Sequence, residues 1–446
     1  MTEVQDVPVT VGPLGGRITR PEGDEAWVPK EPFISAEYAQ LEAERLWPRV
    51  WQVVCREQEV EKVGDYVEYS IVDQSVFVVR TEQGTLKAFL NSCLHRGTQL
   101  KHGCGNAKEI RCRYHAWRWN LDGSIKEVTD AFDFDPACIT PESLQLPECQ
   151  VDTWGGFVFV NMDRDAEPLR DFLGPIADSP EGTYLETMRF ERSRSTTVAA
   201  NWKTALGAFT DGYHFSGTHP QLLYYVDDTT YIYETFEKQS RMVVVGQGKP
   251  SPKLGDLDLD NKDVLLAWVA DLHELKLFND EQADALAATI HSLPPEITPL
   301  EFMSTLTRNA SEDAGIDTTG ISDDHLIGEN VSDWFVFPNS CTPMTALSVF
   351  YIRFRPNGLD HESCIIDVWN LRTYPPGTAP DTWPREVYPD WREHDGWGRI
   401  FLQDLQNVPN VQKGMHTRSR DRLICGRQEI AMWNTIRVVE QYIGRK

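Results

Sequence analysis

The sequence predicts an α+β fold in two parts, an all-β domain followed by a larger domain that mixes helices with long strands. Three observations lead there. At 446 residues the chain is too long for one small domain and suits two or three. Between Trp51 and Asn161, short runs of strand-forming residues alternate with turns. Beyond Met188, longer strand-like runs are interleaved with stretches whose apolar residues recur at helical spacing. Hydrophobic residues are 41% of the chain and charged ones 25%, which is ordinary globular composition with enough apolar surface for real cores. The expected boundaries are an N-terminal arm and helix over 1–44, the all-β domain over 45–165 and the larger domain over 166–446.

Taken in order, the arm carries Pro8, Pro13, Pro21, Pro29 and Pro32 and is mostly extended, until a helix begins near Ser35 and covers 36–46. Strands follow over 51–55, 66–72, 75–81 and 86–91. Asp122-Gly123 is a hairpin signal, and 155–161 reads as the closing strand of the first domain. Asp163 to Glu167 is a charged linker. The N-terminus lacks the basic start and apolar stretch of a signal peptide. No apolar run approaches the ~18 residues of a membrane span, 264–270 being among the longest. Lys plus Arg number 43 against 68 Asp plus Glu, a net charge of −25, which argues against nucleic-acid binding and for a cytoplasmic protein.

The most informative stretch lies between these strands. Cys93-Leu94-His95 is followed, with sixteen residues between, by Cys112-Arg113-Tyr114-His115. Such mixed pairs divide a two-iron, two-sulfide cluster unevenly, Cys93 and Cys112 on one iron, His95 and His115 on the other. Neutral imidazoles in place of two thiolates raise the reduction potential into the range of roughly −150 to +300 mV. Two Cys and two His also satisfy a structural zinc. Zinc sites more often pair Cys with Cys and His with His, and the neighbouring Gly97, Tyr114 and Trp117 favour the iron cluster. On these residues the chain resembles the Rieske proteins. Respiratory members carry an extra, disulfide-bonded cysteine in each loop. The loop 112–115 has none, so Cys104 is expected to be inert. Nine cysteines in so long a chain are no disulfide framework, and the others read as reduced, mostly buried thiols.

In the larger domain, a strand over 188–199 precedes a helix expected from Asn201 to about Phe215. That helix would put Asp211 and His214 on one face, three residues apart. Gly217 and Pro220 let it end, so that His219 folds back beside His214. Two histidines and one carboxylate on one side of an iron leave positions open for oxygen. The carboxylate should be an isolated acid on an apolar helical face. Trp397, Ile400, Phe401, Asp404, Val408 and Val411 form that stripe, and a metal would relieve the cost of burying Asp404. Glu393 and Asp395 are rivals, and Pro409 should kink or interrupt the helix. Residues 256–312 read as acidic, amphipathic helices covering a sheet, 334–337, 347–355 and 364–372 as strands, and the last 50 residues as helix.

With both sites in one chain, the sequence resembles the large (alpha) subunit of Rieske non-haem iron aromatic-ring-hydroxylating oxygenases, from the helix at 36 through Gln412 and Gly414. The resemblance implies a [2Fe-2S] Rieske cluster on Cys93, His95, Cys112 and His115, and a mononuclear Fe(II) on His214, His219 and Asp404. It implies a catalytic domain whose antiparallel sheet is gripped by helices (helix-grip, START-like). Asp211 matches the acid that links an iron ligand to a cluster histidine, by position His115, of the neighbouring subunit in a head-to-tail trimer. Two departures stand out: Ala116 where the family often has glycine, and Gly207-Ala208 where it often has Glu-Asn.

The implied activity is that of a terminal oxygenase in aromatic catabolism. It takes electrons from a ferredoxin or flavin reductase, since the chain has no convincing dinucleotide fingerprint. It uses O2 to hydroxylate an apolar cyclic substrate, most commonly by cis-dihydroxylation. Ring monohydroxylation and oxidative demethylation are the alternatives within the family, with or without a small beta subunit. Outside it stand a plain Rieske electron carrier, which would need only about a third of the chain, and a colourless zinc protein. Phe209, Phe215, Tyr224, Tyr225, Trp334 and Phe335 suggest an apolar pocket or, equally, core packing.

Overall fold

The alternating runs of the first half become strands because each has an apolar face, or two, to cover. Gln74–Arg80 buries Val76, Phe77, Val78 and Val79 in succession and accordingly lies inside a sheet, between Asp65–Ile71 and Leu86–Leu90. The computed structural model describes residues 12–18, 21–274, 279–394 and 396–445. These fall into two units, one of residues up to Tyr38 with Met188–Val438, the other of Ala39–Thr187 with the residues from Val439.

In the smaller unit seven antiparallel strands run in the order Gln52–Arg56, Phe157–Asn161, Glu148–Trp154, Leu86–Leu90, Gln74–Arg80, Asp65–Ile71, Cys104–Asn106. The strand expected to close the domain, Phe157–Asn161, therefore lies one place in from the edge. All five of its residues are buried. A separate three-stranded sheet, Ile110–Arg111, Arg118–Trp119 and Ile125–Glu127, turns at Asp122-Gly123, where Gly123 takes a φ of +83° that suits glycine. Phe77, Phe89, Trp117, Trp119 and Leu144 form the core that joins the two sheets.

This unit reaches past the expected boundary at 165, and packing is the reason. Leu169, Phe172 and Leu173 of the helix Leu169–Leu173 and Leu185 of Pro180–Thr187 are buried. The Trp51 indole donates to the Glu167 carbonyl (2.9 Å) and the Arg56 guanidinium to that of Leu185 (2.8 Å). The charged linker is a turn within the unit. At the other end, Val28 and Phe33 pack with Met415, Cys425 and Ile436 of the larger unit, and Trp27–Pro29 pairs with Arg422–Ile424. The arm thus belongs to the larger unit from Gly12 on, apart from residues 19–20; its first eleven residues, Pro8 included, lie outside the described residues.

The larger unit is built on eight strands in the order Ile232–Thr235, Ser240–Val243, Ser332–Val336, Ser340–Cys341, Ser348–Asn357, Asp360–Arg372, Arg189–Val198, Arg385–Tyr388. Every pairing is antiparallel except the last, which is parallel. The helices Asn261–Glu274, Asp280–Ser292 and Pro299–Asp313 share a core of their own around Leu265, Val269, Ile290 and Met303. Among the described residues no helix is long and apolar enough to cross a membrane.

The helix Arg399–Met415 continues through Pro409, where an interruption was expected. Proline removes one N–H, a local loss, while Asp404, Leu405, Val408, Gln412 and Met415 bury one face along the helix. Val411 is about half exposed and stands off that stripe. Gln412 ties the helix to its neighbours. Its Oε1 accepts from Asn201 N (3.2 Å) and Thr204 Oγ1 (2.6 Å), and its Nε2 donates to the Phe33 carbonyl (3.0 Å) and Glu362 Oε2 (3.1 Å).

Candidate metal centres

Two loops of the smaller unit carry the Cys/His pairs, and they are closed in the same way. Cys93 N donates to the Thr98 carbonyl (2.8 Å) and Cys112 N to the Trp117 carbonyl (2.9 Å). The residue just before each closing position is left-handed, Gly97 at φ +74° and Ala116 at φ +63°. Glycine adopts that backbone freely and alanine does not, so the departure from the family pattern at Ala116 falls where a Cβ is strained. The His95 ring stacks on Trp117 (4.8 Å between centroids) and meets the edge of Phe134, and His115 lies 4.5 Å from it.

The donor atoms fit a two-iron cluster. His95 Nδ1 is buried with no hydrogen-bond partner, a costly state that a metal would end. The Cys93 and Cys112 thiols are within hydrogen-bond reach of each other. Burial pushes the Cys93 thiol up. At Cys112 burial pushes the same way, but hydrogen bonds from the N–H groups of Tyr114 and His115, with the Cys93 and Thr98 side chains, outweigh it and the thiol is lowered. One tetrahedral zinc would need all four donors about one point. Among the described residues, only His214, His219 and Asp404 gather in that manner, within 4.8 Å of one another. Cys104 is exposed on the edge strand Cys104–Asn106, and none of the nine cysteines is in a disulfide.

The second centre is reached by a different local route from the one expected. The helix after Asn201 covers only Trp202–Gly207. Gly207 is a poor helix former, the Thr210 hydroxyl donates to the Gly207 carbonyl (3.1 Å), and Gly212 N donates to the Tyr233 hydroxyl (2.9 Å). The chain therefore turns between 208 and 214, and Asp211 and His214 do not share a helical face. They meet regardless. Asp211 Oδ1 accepts from His214 N (3.1 Å) and lies 3.0 Å from His214 Nδ1. The next helix, Phe215–Thr218, is a single turn, after which His219 folds back fully buried.

Each imidazole is held from behind. Asp211 lies on His214 Nδ1 and Gln403 Oε1 on His219 Nδ1 (2.9 Å), acceptors that favour the proton on each Nδ1 and so would leave each Nε2 lone pair to a metal. Those Nε2 atoms lie 3.6 and 3.0 Å from Asp404 Oδ1. Gln221 Nε2 donates to the same Gln403 oxygen (2.8 Å). Burial raises the Asp404 carboxyl above its ordinary range, against the lowering by His219. Burial pushes the His214 imidazole down, but Asp211, by hydrogen bond and charge, and Asp404, by charge, raise it overall. A cation among two lone pairs and a carboxylate would relieve the cost at Asp404, so the donor set fits a divalent iron. Glu393 is exposed, and Asp395 lies outside the described residues. Gln403 and Gln221 were not singled out by sequence: a neutral amide has no spacing rule to reveal it.

The triad opens on an apolar cavity of about 440 Å³. Phe209, Phe215 and Tyr225 line it, whereas Tyr224 is partly exposed and Trp334 and Phe335 are buried elsewhere. Ala208, at a position of the missing Glu-Asn pair, gives the wall a methyl group. Two further charged residues line it, Asp333 and Arg194.

A family model described as "Ring hydroxylating alpha subunit (catalytic domain)" matches residues 185–445, more than half of the chain, and one described as "Rieske [2Fe-2S] domain" matches 50–133. The chain is 30% identical over 206 residues to a carnitine monooxygenase oxygenase subunit of Acinetobacter pittii, covering 44% of this chain and 54% of that protein. It is 30% identical over 196 residues to a benzene 1,2-dioxygenase subunit alpha of Pseudomonas putida, covering 43% of each. The chain thus spans about half the length of the curated relatives it matches. Among solved structures, a quaternary ammonium Rieske monooxygenase in complex with L-carnitine superposes with a TM-score of 0.64 at 19% identity, over 93% of this chain and 95% of that one. That likeness speaks for the fold.

Proposed function

We propose, from the premise that the chain belongs to the family of ring-hydroxylating alpha subunits, that it is the terminal oxygenase of a Rieske system and inserts one oxygen atom of O2 into an organic substrate held in the cavity. The other atom leaves as water, with two reductase electrons and two protons. One observation carries the reading: His214, His219 and Asp404 gather within 4.8 Å at the wall of an apolar cavity, with both Nδ1 atoms engaged on the far side. When bound, the Rieske cluster supplies electrons singly and the mononuclear iron activates O2 for attack on a substrate carbon.

The chain's own residues prepare that chemistry. Cys93, His95, Cys112 and His115 hold the cluster, with Trp117 and Phe134 fixing the His95 ring. Asp211 and Gln403 hold the tautomers of the two triad histidines. Phe209 and Phe401, 5.1 Å apart in the cavity wall, exclude water from the triad. In a head-to-tail homotrimer, Asp211 also reaches a cluster histidine of a neighbouring copy, by position His115. A separate reductase, with or without a ferredoxin, supplies the electrons.

Single-atom insertion, which at a methyl carbon next to nitrogen or oxygen leads to demethylation, is favoured by the carnitine monooxygenase relatives. Cis-dihydroxylation of an aromatic ring is the second reading, favoured by the benzene and chlorobenzene dioxygenase relatives. The test is product analysis under oxygen-18 gas. Iron-loaded protein with a surrogate reductase would be screened against aromatic, terpenoid, steroid and ammonium compounds. One labelled atom per hydroxylated product, or an unlabelled demethylated product with one formaldehyde released, is expected; two labelled atoms in one product would transfer the assignment to dihydroxylation.

A further inference from the structure

Asp333 lies on the strand Ser332–Val336 opposite Met242 of Ser240–Val243, and both line the cavity. The residue is only 5% exposed. Its Oδ1 accepts from Thr342 N (2.9 Å), and among the described residues no other hydrogen bond and no Lys, Arg or His meets its carboxylate. Burial raises the carboxyl well above its ordinary range, opposed only by that one N–H. Three other buried acids of the unit are matched by cations inside the chain, whereas Asp271, which does not line the cavity, also keeps an oxygen unpartnered among the described residues. Asp367 lies between Arg353 (2.9 Å) and Arg355 (2.7 Å), Glu234 accepts from Arg241 (2.8 Å), and Asp228 is paired with Lys253. An acid left unmatched where it faces the substrate cavity has its partner in the ligand or nowhere.

Two ligand chemistries answer a buried carboxyl: a cation, or a neutral oxygen that accepts from the protonated acid. Three observations favour the cation. Phe215, Tyr225 and Tyr231 line the same cavity, and aromatic faces attract cations. Arg194, the guanidinium in that lining, uses both terminal nitrogens elsewhere: Nη1 donates to the Gly396 carbonyl and Nη2 to Asn370 Oδ1, and it lies 4.9 Å over the Trp397 ring, with its buried Nε alone left without a partner among the described residues. The net charge of −25 concentrates cations around the chain and repels anions.

We propose that Asp333 determines specificity by receiving the cationic nitrogen, a protonated amine or a quaternary ammonium, of a substrate whose remaining body is apolar. Fixing the charged end leaves the apolar part to meet the triad. The inference rests on reading the cavity as the substrate site.

Calorimetry on the iron-loaded protein without reductase tests it, so that nothing turns over. The probes are benzyltrimethylammonium, its neutral carbon isostere neopentylbenzene, and acetophenone as an oxygen acceptor. Asp333→Asn keeps an acceptor for Thr342 N and should weaken the ammonium by about tenfold or more, while neopentylbenzene changes by less than about twofold. Unchanged ammonium affinity, or a loss that falls on acetophenone instead, overturns the proposal. The wild type tests it without any variant, because the ammonium must bind no more weakly than its less hydrated isostere. An ammonium weaker by about tenfold overturns the proposal even if the variant does not fold. Binding of neopentylbenzene without preference for the cation sinks this inference and leaves the cavity reading standing. Failure of every probe to bind sinks both.

Discussion

The cluster loops and the triad solve the same problem, gathering metal donors, with information from opposite ranges. The cluster residues fall within twenty-three consecutive positions, on two loops closed by equivalent backbone hydrogen bonds. The triad joins His219 to Asp404 across 185 positions, and its two helical segments are aimed by side-chain amides and a turn. A site written locally depends on its own backbone, whereas one assembled from afar depends on what holds its supports. The two should therefore fail separately, and for different reasons.

The largest effects test that separation. The protein should hold three irons per chain. His95→Ala should abolish the cluster absorption, while Asp404→Ala should abolish turnover and the mononuclear iron with the cluster absorption intact. About one zinc and no acid-labile sulfide on metal analysis would refute both assignments. Next comes Asp211→Asn, which should keep all three irons and a reducible cluster yet nearly stop electron transfer to the mononuclear site. In a single turnover with oxygen and substrate the cluster should stay reduced; normal reoxidation would reduce Asp211 to an orienting residue.

A smaller effect is expected at Gln403. Gln403→Leu removes the partner of His219 Nδ1 and should weaken iron at the triad by about tenfold or more, leaving the cluster untouched. Equal loss of cluster and mononuclear iron would mean the two sites are not independent. The smallest effect lies in the loops. Ala116→Gly should stabilise the loop by up to ~1 kcal/mol, the left-handed penalty less the greater freedom of glycine in the unfolded chain, and so raise the midpoint for thermal loss of the cluster absorption. Gly97→Ala should shift it by a similar amount in the opposite direction, since a Cβ there meets nothing closer than Ser92 Oγ at 3.9 Å.

The same contrast explains what the sequence made legible. Rare residue types at short spacing singled out Cys93, His95, Cys112 and His115 as candidate ligands, and an isolated acid on an apolar stripe singled out Asp404, because both signals survive without the fold. Most of the strands were readable from β-branched and aromatic runs such as Val76 to Val79. The helix over 201–215 was not. Ala205 and Leu206 favour continuing it, and what ends it includes the pull of a hydroxyl on another strand, Tyr233. Pro409 misled in the other direction, since its local cost is outweighed by a face buried along the helix. The boundary at 165 failed because Arg56 and Trp51 bind carbonyls more than a hundred residues away, a fact no composition shift records.

Gln412 has a consequence best put as an angle. Its four hydrogen bonds do not touch the triad, yet they index the rotation of the helix that carries Asp404. Each residue of an α-helix turns by about 100°, and the eight residues from 404 to 412 span about 12 Å along the axis. A single residue inserted between them would leave every donor in the chain and swing the carboxylate by more than a quarter turn. The aim of Asp404 is thus a phase, set by a pin about two turns down the shaft.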